Sequence, residues 1–328
     1  MNAFSYVLAK DVDAALRAGQ APGTKFLAGG TNLLDLMKGG VEQPLRLVDV
    51  SRLPLAEIAE LPVGGLRIGA AVTNSDAAAH PLVRSRYPLL SQALLAGASQ
   101  QLRNMATVGG NLLQRTRCHY FYDAAFPACN KRAPGSGCAA LEGHNRMHAI
   151  LGASESCIAV HPSDMAVALA ALDAVVRVRG PKGERAIPIG ELHRLPGDTP
   201  QRDTSVEHGE LITAVDLPAT PFKGNSYYLK IRDRASYAFA LVSVAAALEM
   251  EGDRIVTARI ALGGVAHKPW RAVHAERLLA GARLDAQELR PAAEAALKDA
   301  KPYERNAFKV ELAKRAIVRA VQAAGGAA

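Results

Sequence analysis

The sequence predicts an α+β protein in which two small α/β subdomains are followed by a C-terminal α+β domain. Three patterns lead to this expectation. Strands and helices alternate over the first fifty residues, a hairpin pattern appears later, and longer strands followed by three helices end the chain. The 328 residues, 49% of them hydrophobic, suffice for two or three domains with their own cores. We predict a first domain over 1–220, with subdomains of about 1–55 and 56–220, and a second over 221–328.

The first subdomain is predicted to be a small βαβαβ unit. Residues 4–8, 25–28 and 45–50 are short apolar runs typical of strands. Asp11 precedes an amphipathic stretch and suits the N-cap of a helix, and Asn32 opens a second helix after two glycines.

The second subdomain shows a less regular alternation. Ser75 is predicted to cap one helix, and Ser163 with Asp164 to cap an apolar helix that runs to Leu172. A turn at 180–183 separates two runs that predict a hairpin. The hairpin strands are expected at 175–178 and 185–189, further strands at 66–72 and 211–217, and a helix at 89–98.

The pattern changes near 218–223, where we place the domain boundary. Longer apolar runs then predict antiparallel strands, and three helical patterns close the chain. The strands are expected at 227–231, 239–249 and 254–262, and the helices at about 272–281, 285–299 and 304–322.

Composition argues against several classes of function. The net charge is +8, yet the basic residues form no dense block and the aromatic residues, 5% of the chain, do not alternate with them. This disfavours nucleic-acid binding and suits a solvated surface or an acidic partner protein. No run of about 18 apolar residues exists, so no membrane span is expected. The first residues lack an export signal, which predicts the cytoplasm unless a partner carries the folded chain out.

All four cysteines lie in one segment of about 115–160 that lacks a steady period and reads as a long loop. They are Cys118, Cys129, Cys138 and Cys157, separated by ten, eight and eighteen residues. These wide gaps favour a [4Fe-4S] cluster over zinc, two disulfides or unrelated thiols, because structural zinc usually shows close cysteine pairs. Cations at 117, 131 and 132 favour thiolates, and the histidines at 119, 144, 148 and 161 are not needed as ligands.

Two similar glycine loops each lead into a helix, at residues 28–33 and 107–112. Small residues let backbone N–H groups approach phosphate oxygens at a helix start. A single Gly-Gly pair is more often a tight turn, and neither loop matches the Rossmann or P-loop pattern. Two such loops together suit a long diphosphate ligand.

These motifs, in this order, resemble the FAD-binding subunits of xanthine dehydrogenase-type molybdenum hydroxylases. The likeness rests on residues 26–33, 102–112, 161–164 and 262–271, and it covers essentially the whole chain. It implies the fold of the vanillyl-alcohol oxidase (PCMH-type) flavoproteins, followed by a C-terminal domain like that of the CO dehydrogenase flavoprotein.

A narrower likeness concerns the cysteine segment. Residues 111–118, 129–132, 134–143 and 232–241 resemble the periplasmic aldehyde oxidoreductase branch of that family, in which this insert holds a [4Fe-4S] cluster. The 4-hydroxybenzoyl-CoA reductase branch has a similar insert and is the nearest alternative, and a xanthine dehydrogenase-like subunit is another.

The resemblance also implies roles for individual residues. The first loop wraps the FAD pyrophosphate, the second contacts the flavin and its phosphates, Asp164 with Ser163 binds the ribose or adenine end, and Lys230 and Tyr237 lie near the isoalloxazine ring. Without the resemblance, Ser163 and Asp164 read as helix caps, Lys230 as a solvated strand residue and Tyr237 as a core aromatic. The implied cofactor-binding residues are Ala28, Gly29, Gly30, Thr31, Asn32, Leu33, Thr107, Gly109, Gly110, Asn111, Ser163, Asp164, Lys230 and Tyr237.

The implied function is electron transfer without catalytic residues in this chain. Electrons would pass from a molybdopterin-binding large subunit, through [2Fe-2S] clusters of a small subunit, to FAD here and on to an acceptor. A twin-arginine signal on the small subunit would export the complex to the periplasm. A free-standing flavin oxidase and a non-enzymatic metal-binding module are the rival readings, and the sequence reveals neither substrate nor acceptor.

Overall fold

The fold is described from a computed structural model that covers residues 1–222 and 224–326. Lys223, inside the predicted domain boundary, lies outside the described residues. So do Ala327 and Ala328, at the end of the predicted C-terminal domain.

The first subdomain is the predicted βαβαβ unit. Its three strands are parallel, and the last strand along the chain lies in the middle of the sheet, in the order β1-β3-β2. Asp11 caps the first helix, as predicted, because its carboxylate accepts the Ala14 N–H at 2.7 Å. The elements are β1 (Ser5–Leu8), α1 (Val12–Gly19), β2 (Thr24–Leu27), α2 (Leu33–Lys38) and β3 (Arg46–Asp49).

The second subdomain is built on a five-stranded antiparallel sheet in the order β4-β5-β8-β6-β7. The predicted hairpin is confirmed as β6 paired with β7 across Gly180 and Gly183. The strands are β4 (Ile58–Glu60), β5 (Leu66–Gly69), β6 (Val175–Gly180), β7 (Gly183–Pro188) and β8 (Leu211–Leu217).

Short helices cover this sheet, and two predicted caps differ from the structure. Thr73, not Ser75, begins the first of them, because the Thr73 hydroxyl accepts the Asp76 N–H at 3.1 Å. Ser163 caps its helix through the Ala166 N–H, whereas Asp164 is the first helical residue and is buried. The helices are α3 (Asn74–Ala79), α4 (Pro81–Arg86), α5 (Pro88–Ala96), α6 (Gln100–Arg103), α7 (Val108–Leu112), α8 (His119–Tyr122), α9 (Asp164–Ala171) and α10 (Ile189–Leu192).

The C-terminal sheet is buried on both faces. Alternate residues of its long central strand point to different cores: Ala245 and Ala247 face the core of the second subdomain, while Val244 and Leu248 face the last three helices. The elements are β9 (Ser226–Ile231), β10 (Val242–Glu251), β11 (Arg254–Gly263), β12 (Trp270–Arg271), α11 (Val273–Leu279), α12 (Ala286–Ala296) and α13 (Phe308–Ala324). The four strands are antiparallel, in the order β12-β11-β10-β9.

The cysteine segment is a long loop, as predicted, but it is fastened to the C-terminal domain. Ile150 and Leu151 are part of that domain's core. Lys309, fully buried at the start of α13, donates to the backbone oxygens of His148 at 2.8 Å and Gly264 at 2.5 Å. The tail of the segment is therefore held by contacts that do not involve a cysteine.

Replacing Lys309 by Met is expected to lower the free energy of unfolding by about 2–4 kcal/mol, because two buried carbonyl groups lose their donor. Urea unfolding measures the loss. Arg319→Met, on an exposed face of the same helix, is the control. Equal stability of both variants would show that the ammonium group contributes nothing to fastening the segment.

Within residues 1–222 and 224–326, no helix combines the length and the apolar character needed to cross a membrane.

Candidate functional site

A cavity of about 1060 Å³ lies where the first subdomain, the second subdomain and strand β9 meet. Every residue predicted to bind the cofactor lines it, although these residues come from five separate stretches of the chain. Their individual roles remain predictions. The lining residues are Ala28, Gly29, Gly30, Thr31, Asn32, Leu33, Thr107, Gly109, Gly110, Asn111, Ser163, Asp164, Lys230 and Tyr237.

The first glycine loop joins β2 to α2 and offers a run of unpaired donors to this cavity. Gly30 holds a φ of +71°, a conformation that glycine adopts without strain. In the part of the chain that the structure describes, the amide N–H groups of residues 29–33 donate to no protein acceptor. Consecutive free amides at the start of a helix are the groups that bind phosphate oxygens. The loop therefore fits a diphosphate.

The two glycine loops meet at a seam. A Cβ atom on Gly29 would overlap the backbone carbonyl oxygen of Met105, two residues before the second loop begins. Only glycine permits this close approach of the two backbones. The first subdomain is thereby held against the second along the cavity wall.

The second loop differs from the expectation that both loops cradle phosphates with their amides. The Val108 N–H donates to Val72 and the Gly109 N–H to Ala70, each at 2.9 Å. The Gly110 N–H donates to the Thr107 hydroxyl at 3.2 Å. Because these donors dock the loop onto its own subdomain, its contacts with a ligand come from side chains and glycine surfaces.

A buried polar network forms one wall of the cavity. The Asp164 carboxylate accepts the Lys230 ammonium at 2.7 Å and the Tyr228 hydroxyl at 2.7 Å, and Tyr228 also contacts Ser243 at 3.0 Å. Burial, then the nearby carboxylate, raises the pKa of Tyr228 well above its usual value. The sequence-based assignment put Asp164 at the ribose or adenine end and Lys230 near the isoalloxazine ring. In the structure the two side chains are paired with each other, and their roles toward FAD remain predictions.

Tyr237 lies at the rim of the cavity and is 59% exposed, so it is not a core aromatic. Its φ of +51° is uncommon for a residue with a side chain. Arg234 donates to the Tyr237 backbone oxygen at 3.0 Å and lies over its ring, with the guanidinium carbon 5.6 Å from the ring centroid. These contacts fix the position of the tyrosine beside the cavity.

Asn32 connects the first glycine loop to the cysteine segment. Its side-chain oxygen accepts the Arg115 N–H at 2.8 Å, and its amide donates to the Tyr122 hydroxyl at 2.9 Å. Arg115 in turn pairs with Glu42 at 2.6 Å and Asp203 at 2.7 Å. Sequence reasoning assigned Asn32 to the cofactor but gave no sign of these partners.

The four cysteines are free thiols that gather in one region. Cys129 and Cys138 are paired across an isolated antiparallel bridge, and Cys138 contacts Cys157 through a hydrogen bond between thiols. That hydrogen bond lowers the pKa of Cys138 to about 6, whereas burial raises the pKa of Cys118 to about 11. The structure therefore brings the predicted ligands together without joining them in disulfides.

Two histidines reach the cysteine sulfurs. Nε2 of His148 lies 3.1 Å from Sγ of Cys118, and Nε2 of His267 lies 3.3 Å from Sγ of Cys157. Burial lowers the pKa of His148 to about 4 and that of His267 to about 3, so both rings are neutral and carry one N–H. His148 was set aside in the sequence and His267 was missed, because it lies 110 residues from its cysteine.

The cations flanking the cysteines are largely occupied elsewhere. Lys131, which is buried, pairs with Asp203, and Arg132 donates to backbone oxygens of Tyr120 at 2.7 Å and Phe121 at 2.9 Å. Among the described residues, no three His, Cys, Asp or Glu side chains stand close enough to hold one metal ion. This geometry does not itself support a metal centre, and the [4Fe-4S] cluster remains a prediction.

Two further histidines, His161 and His193, contact each other beside the second glycine loop. The His161 and His193 rings are 4.0 Å apart, and Nε2 of His193 lies 2.8 Å from the backbone oxygen of Leu112. Burial lowers the pKa of His193 to about 4 and that of His161 well below its usual value. Both rings are therefore neutral in the folded chain at pH 6.

This pair predicts a loss of stability in acid. The unfolded chain protonates both rings as the pH falls below about 6.5, whereas burial holds the pKa of His193 at about 4 and that of His161 well below its usual value in the native chain. The free energy of unfolding should therefore fall by up to about 1.4 kcal/mol per pH unit for each ring. Urea unfolding of the flavin-free chain from pH 6.5 to 4.5 measures the slope. His193→Gln should flatten it, and equal slopes would contradict the assignment.

Two protein-family models match the chain. The model of the FAD-binding domain in molybdopterin dehydrogenase matches residues 2–220, and that of the CO dehydrogenase flavoprotein C-terminal domain matches residues 227–324. These matches confirm the predicted class of fold: a PCMH-type FAD-binding domain followed by a CO dehydrogenase flavoprotein-like domain.

Relatives of known description span nearly the whole chain. The aldehyde oxidoreductase FAD-binding subunit PaoB of Escherichia coli is 54% identical over 319 residues, covering 97% of this chain and 96% of that protein. The glyceraldehyde dehydrogenase medium chain of Sulfolobus acidocaldarius is 28% identical and covers 86% of this chain and 83% of that protein.

Solved structures share the architecture. A chain of quinoline 2-oxidoreductase from Pseudomonas putida 86 superposes with a TM-score of 0.77 at 26% identity, covering 99% of this chain and 98% of that chain. A chain of CO dehydrogenase from Oligotropha carboxidovorans gives 0.78 at 25% identity, covering 100% and 99%. With the cavity and its free amides, these findings show that the chain belongs to the FAD-binding subunits of the xanthine dehydrogenase family of molybdenum hydroxylases, and that it is a subunit of an oxidoreductase.

Proposed function

We propose that this chain carries FAD and a [4Fe-4S] cluster within a heterotrimeric molybdenum-containing aldehyde oxidoreductase. In that complex it passes electrons from the [2Fe-2S] clusters of a small subunit to an external acceptor. The observation that carries the proposal is the run of free amides at residues 29–33, because it lies in a cavity large enough for an elongated dinucleotide.

The residues around the cavity would hold FAD in an extended form. The amides of the first loop bind the pyrophosphate, and the Asp164–Lys230 pair places an ammonium group and a carboxylate at the cavity wall. Tyr237, an exposed lining residue, is placed by the resemblance near the isoalloxazine ring. When bound, FAD accepts single electrons and releases them as a pair, which suits a subunit between iron–sulfur clusters and a two-electron acceptor.

The proposal of a cluster rests on the number and type of donors in the cysteine region, four free thiols, and not on a geometry suited to a single ion. A single ion requires every donor about 2.3 Å from one point, whereas each thiolate of a cubane binds a different iron. The four thiols are free, and the N–H groups of His148 and His267 would offset negative charge on two of the sulfurs. The same region resembles the insert of the periplasmic aldehyde oxidoreductase branch.

The aldehyde assignment rests on the relative with 54% identity, whereas two xanthine dehydrogenase subunits among the relatives are 28% identical. By the same argument the partners are a molybdopterin-binding large subunit and a [2Fe-2S] small subunit.

We place the complex in the periplasm, exported by a twin-arginine signal on the small subunit. Recovery of the chain in the cytoplasmic fraction of cells that express all three subunits would refute this location.

The chain purified under anaerobic conditions is expected to contain one FAD, about four irons and a matching amount of sulfide. Metal and sulfide analysis together with the visible absorption spectrum provide the measurement. Cys157→Ser should remove most of the iron and leave the bound flavin detectable. Stoichiometric zinc without iron would disprove the cluster, and aldehyde oxidation by the isolated chain would disprove the subunit assignment.

A further inference from the structure

The cysteine segment contacts the first glycine loop and the helix that follows it, α2, at two independent places. One contact is the pair of hydrogen bonds around Asn32. The other is a small apolar core, separate from the main ones, in which Leu36 of α2 packs with Phe121 and Cys129. Both contacts reach α2 or the residue that begins it, so the position of the cysteine segment determines where the free amides lie.

The first contact begins at a predicted ligand. Cys118 immediately precedes α8, and its backbone oxygen accepts the N–H groups of Phe121 and Tyr122, each at 3.1 Å. A shift of Cys118 therefore moves the Tyr122 hydroxyl, which is the acceptor for Asn32. Asn32 in turn begins α2 without a side-chain cap of its own, because both ends of its amide are used by the cysteine segment.

The second contact also involves a ligand. Cys129, Phe121 and Leu36 are all buried, and the two residues of the cysteine segment pack in one core with Leu36 of α2. Interiors packed at this density transmit small displacements, because neighbouring side chains cannot absorb them. Binding of a metal group to Cys118 and Cys129 would therefore reach the same helix by two routes.

We propose that Tyr122 and Asn32 are positioning residues. Through them, occupancy of the four-cysteine site sets the affinity of the first glycine loop for FAD. The inference rests on the proposed [4Fe-4S] cluster. It assigns that cluster an effect on flavin binding even if no electron passes through it. Because binding free energies are reciprocal, bound FAD also strengthens retention of the cluster.

The test compares the full chain in two states: iron-loaded, and stripped by a chelator under reducing conditions. FAD titration, followed by quenching of flavin fluorescence, gives the dissociation constant in each state. Stripping should weaken FAD binding by about 5-fold to 150-fold, the usual range for coupled sites. Iron and sulfide content is measured first, so a chain that binds no iron refutes both the cluster and the coupling.

Tyr122→Phe separates positioning from direct contact, because the Tyr122 hydroxyl also borders the cavity. Under the proposal this variant weakens FAD binding only in the iron-loaded state, so that the difference between the two states largely disappears. If it weakens binding equally in both states, the hydroxyl contacts FAD directly and the coupling is wrong.

Tyr120→Phe is the matched control. It removes a hydroxyl from the same helix, one that accepts the His144 N–H at 2.6 Å and does not touch Asn32. The control should keep the difference between loaded and stripped chain. Equal FAD affinity of loaded and stripped wild-type chain, with iron present in the former, would overturn the proposal while leaving the cluster in place.

Discussion

Gly30→Val is expected to remove FAD almost completely, with a loss of binding free energy above about 3 kcal/mol. At a φ of +71° a β-branched residue is strained, and its Cβ would lie 2.7 Å from Cδ1 of Leu34. The loop must change shape, and its amides no longer converge on the phosphates. Flavin content after denaturation and FAD titration measure the effect.

The same variant tests the electron route in the rebuilt complex. Substrate should still reduce the molybdenum and [2Fe-2S] centres, while turnover with the acceptor collapses. Gly40→Val is the matched control, because Gly40 has a φ of +73° and no atom within 4 Å of its Cβ position. Normal turnover of a complex without flavin would contradict the proposal that electrons leave the complex through FAD. Full flavin content of Gly30→Val would contradict the assignment of the first glycine loop to the FAD pyrophosphate.

Asp164→Ala is expected to lower the free energy of unfolding by about 3–5 kcal/mol, because it leaves the Lys230 ammonium buried without its counter-charge. The sequence alone predicts a smaller effect, the loss of one bond to FAD. In the structure each carboxylate oxygen has a protein partner, so the substitution also costs stability in the absence of FAD. Urea unfolding of the flavin-free chain measures the cost without any contribution from ligand binding.

The double variant Asp164→Leu with Lys230→Met is the control for this effect. Removing both charges should restore much of the stability, because an apolar pair of similar volume tolerates the same burial. An Asp164→Ala chain that is as stable as wild type but has a lower affinity for FAD would show that the carboxylate binds the cofactor and does not stabilise the cavity wall.

Local signals in the sequence predicted the elements of the fold well. Asp11 was recognised as a cap because its carboxylate acts within its own helix, and the 180–183 turn because it joins neighbouring strands. Ser75 was mistaken for a cap because Thr73, two residues earlier, has an equally suitable side chain. Only the extended backbone of Thr73, with φ −69° and ψ 153°, distinguishes them.

Features that depend on distant parts of the chain could not be predicted. The two glycine loops have nearly the same sequence. In the second loop, however, two amide N–H groups donate to the backbone oxygens of Ala70 and Val72, about forty residues earlier. The Asp164–Lys230 pair joins residues 66 positions apart. Such pairings are created by the packing of whole subdomains, and no local spacing encodes them.

The alanine face of β10 restricts which C-terminal domains this chain could accept in place of its own. Ala245 and Ala247 pack in the same core as α9. The approach is so close that a Cβ atom on Gly263, in the neighbouring strand β11, would lie 2.6 Å from Val167 of α9. A C-terminal domain inherited from another lineage would bring its own side-chain sizes to this seam. Exchange of the C-terminal domain should therefore preserve the fold only when the donor domain has equally small residues at these positions.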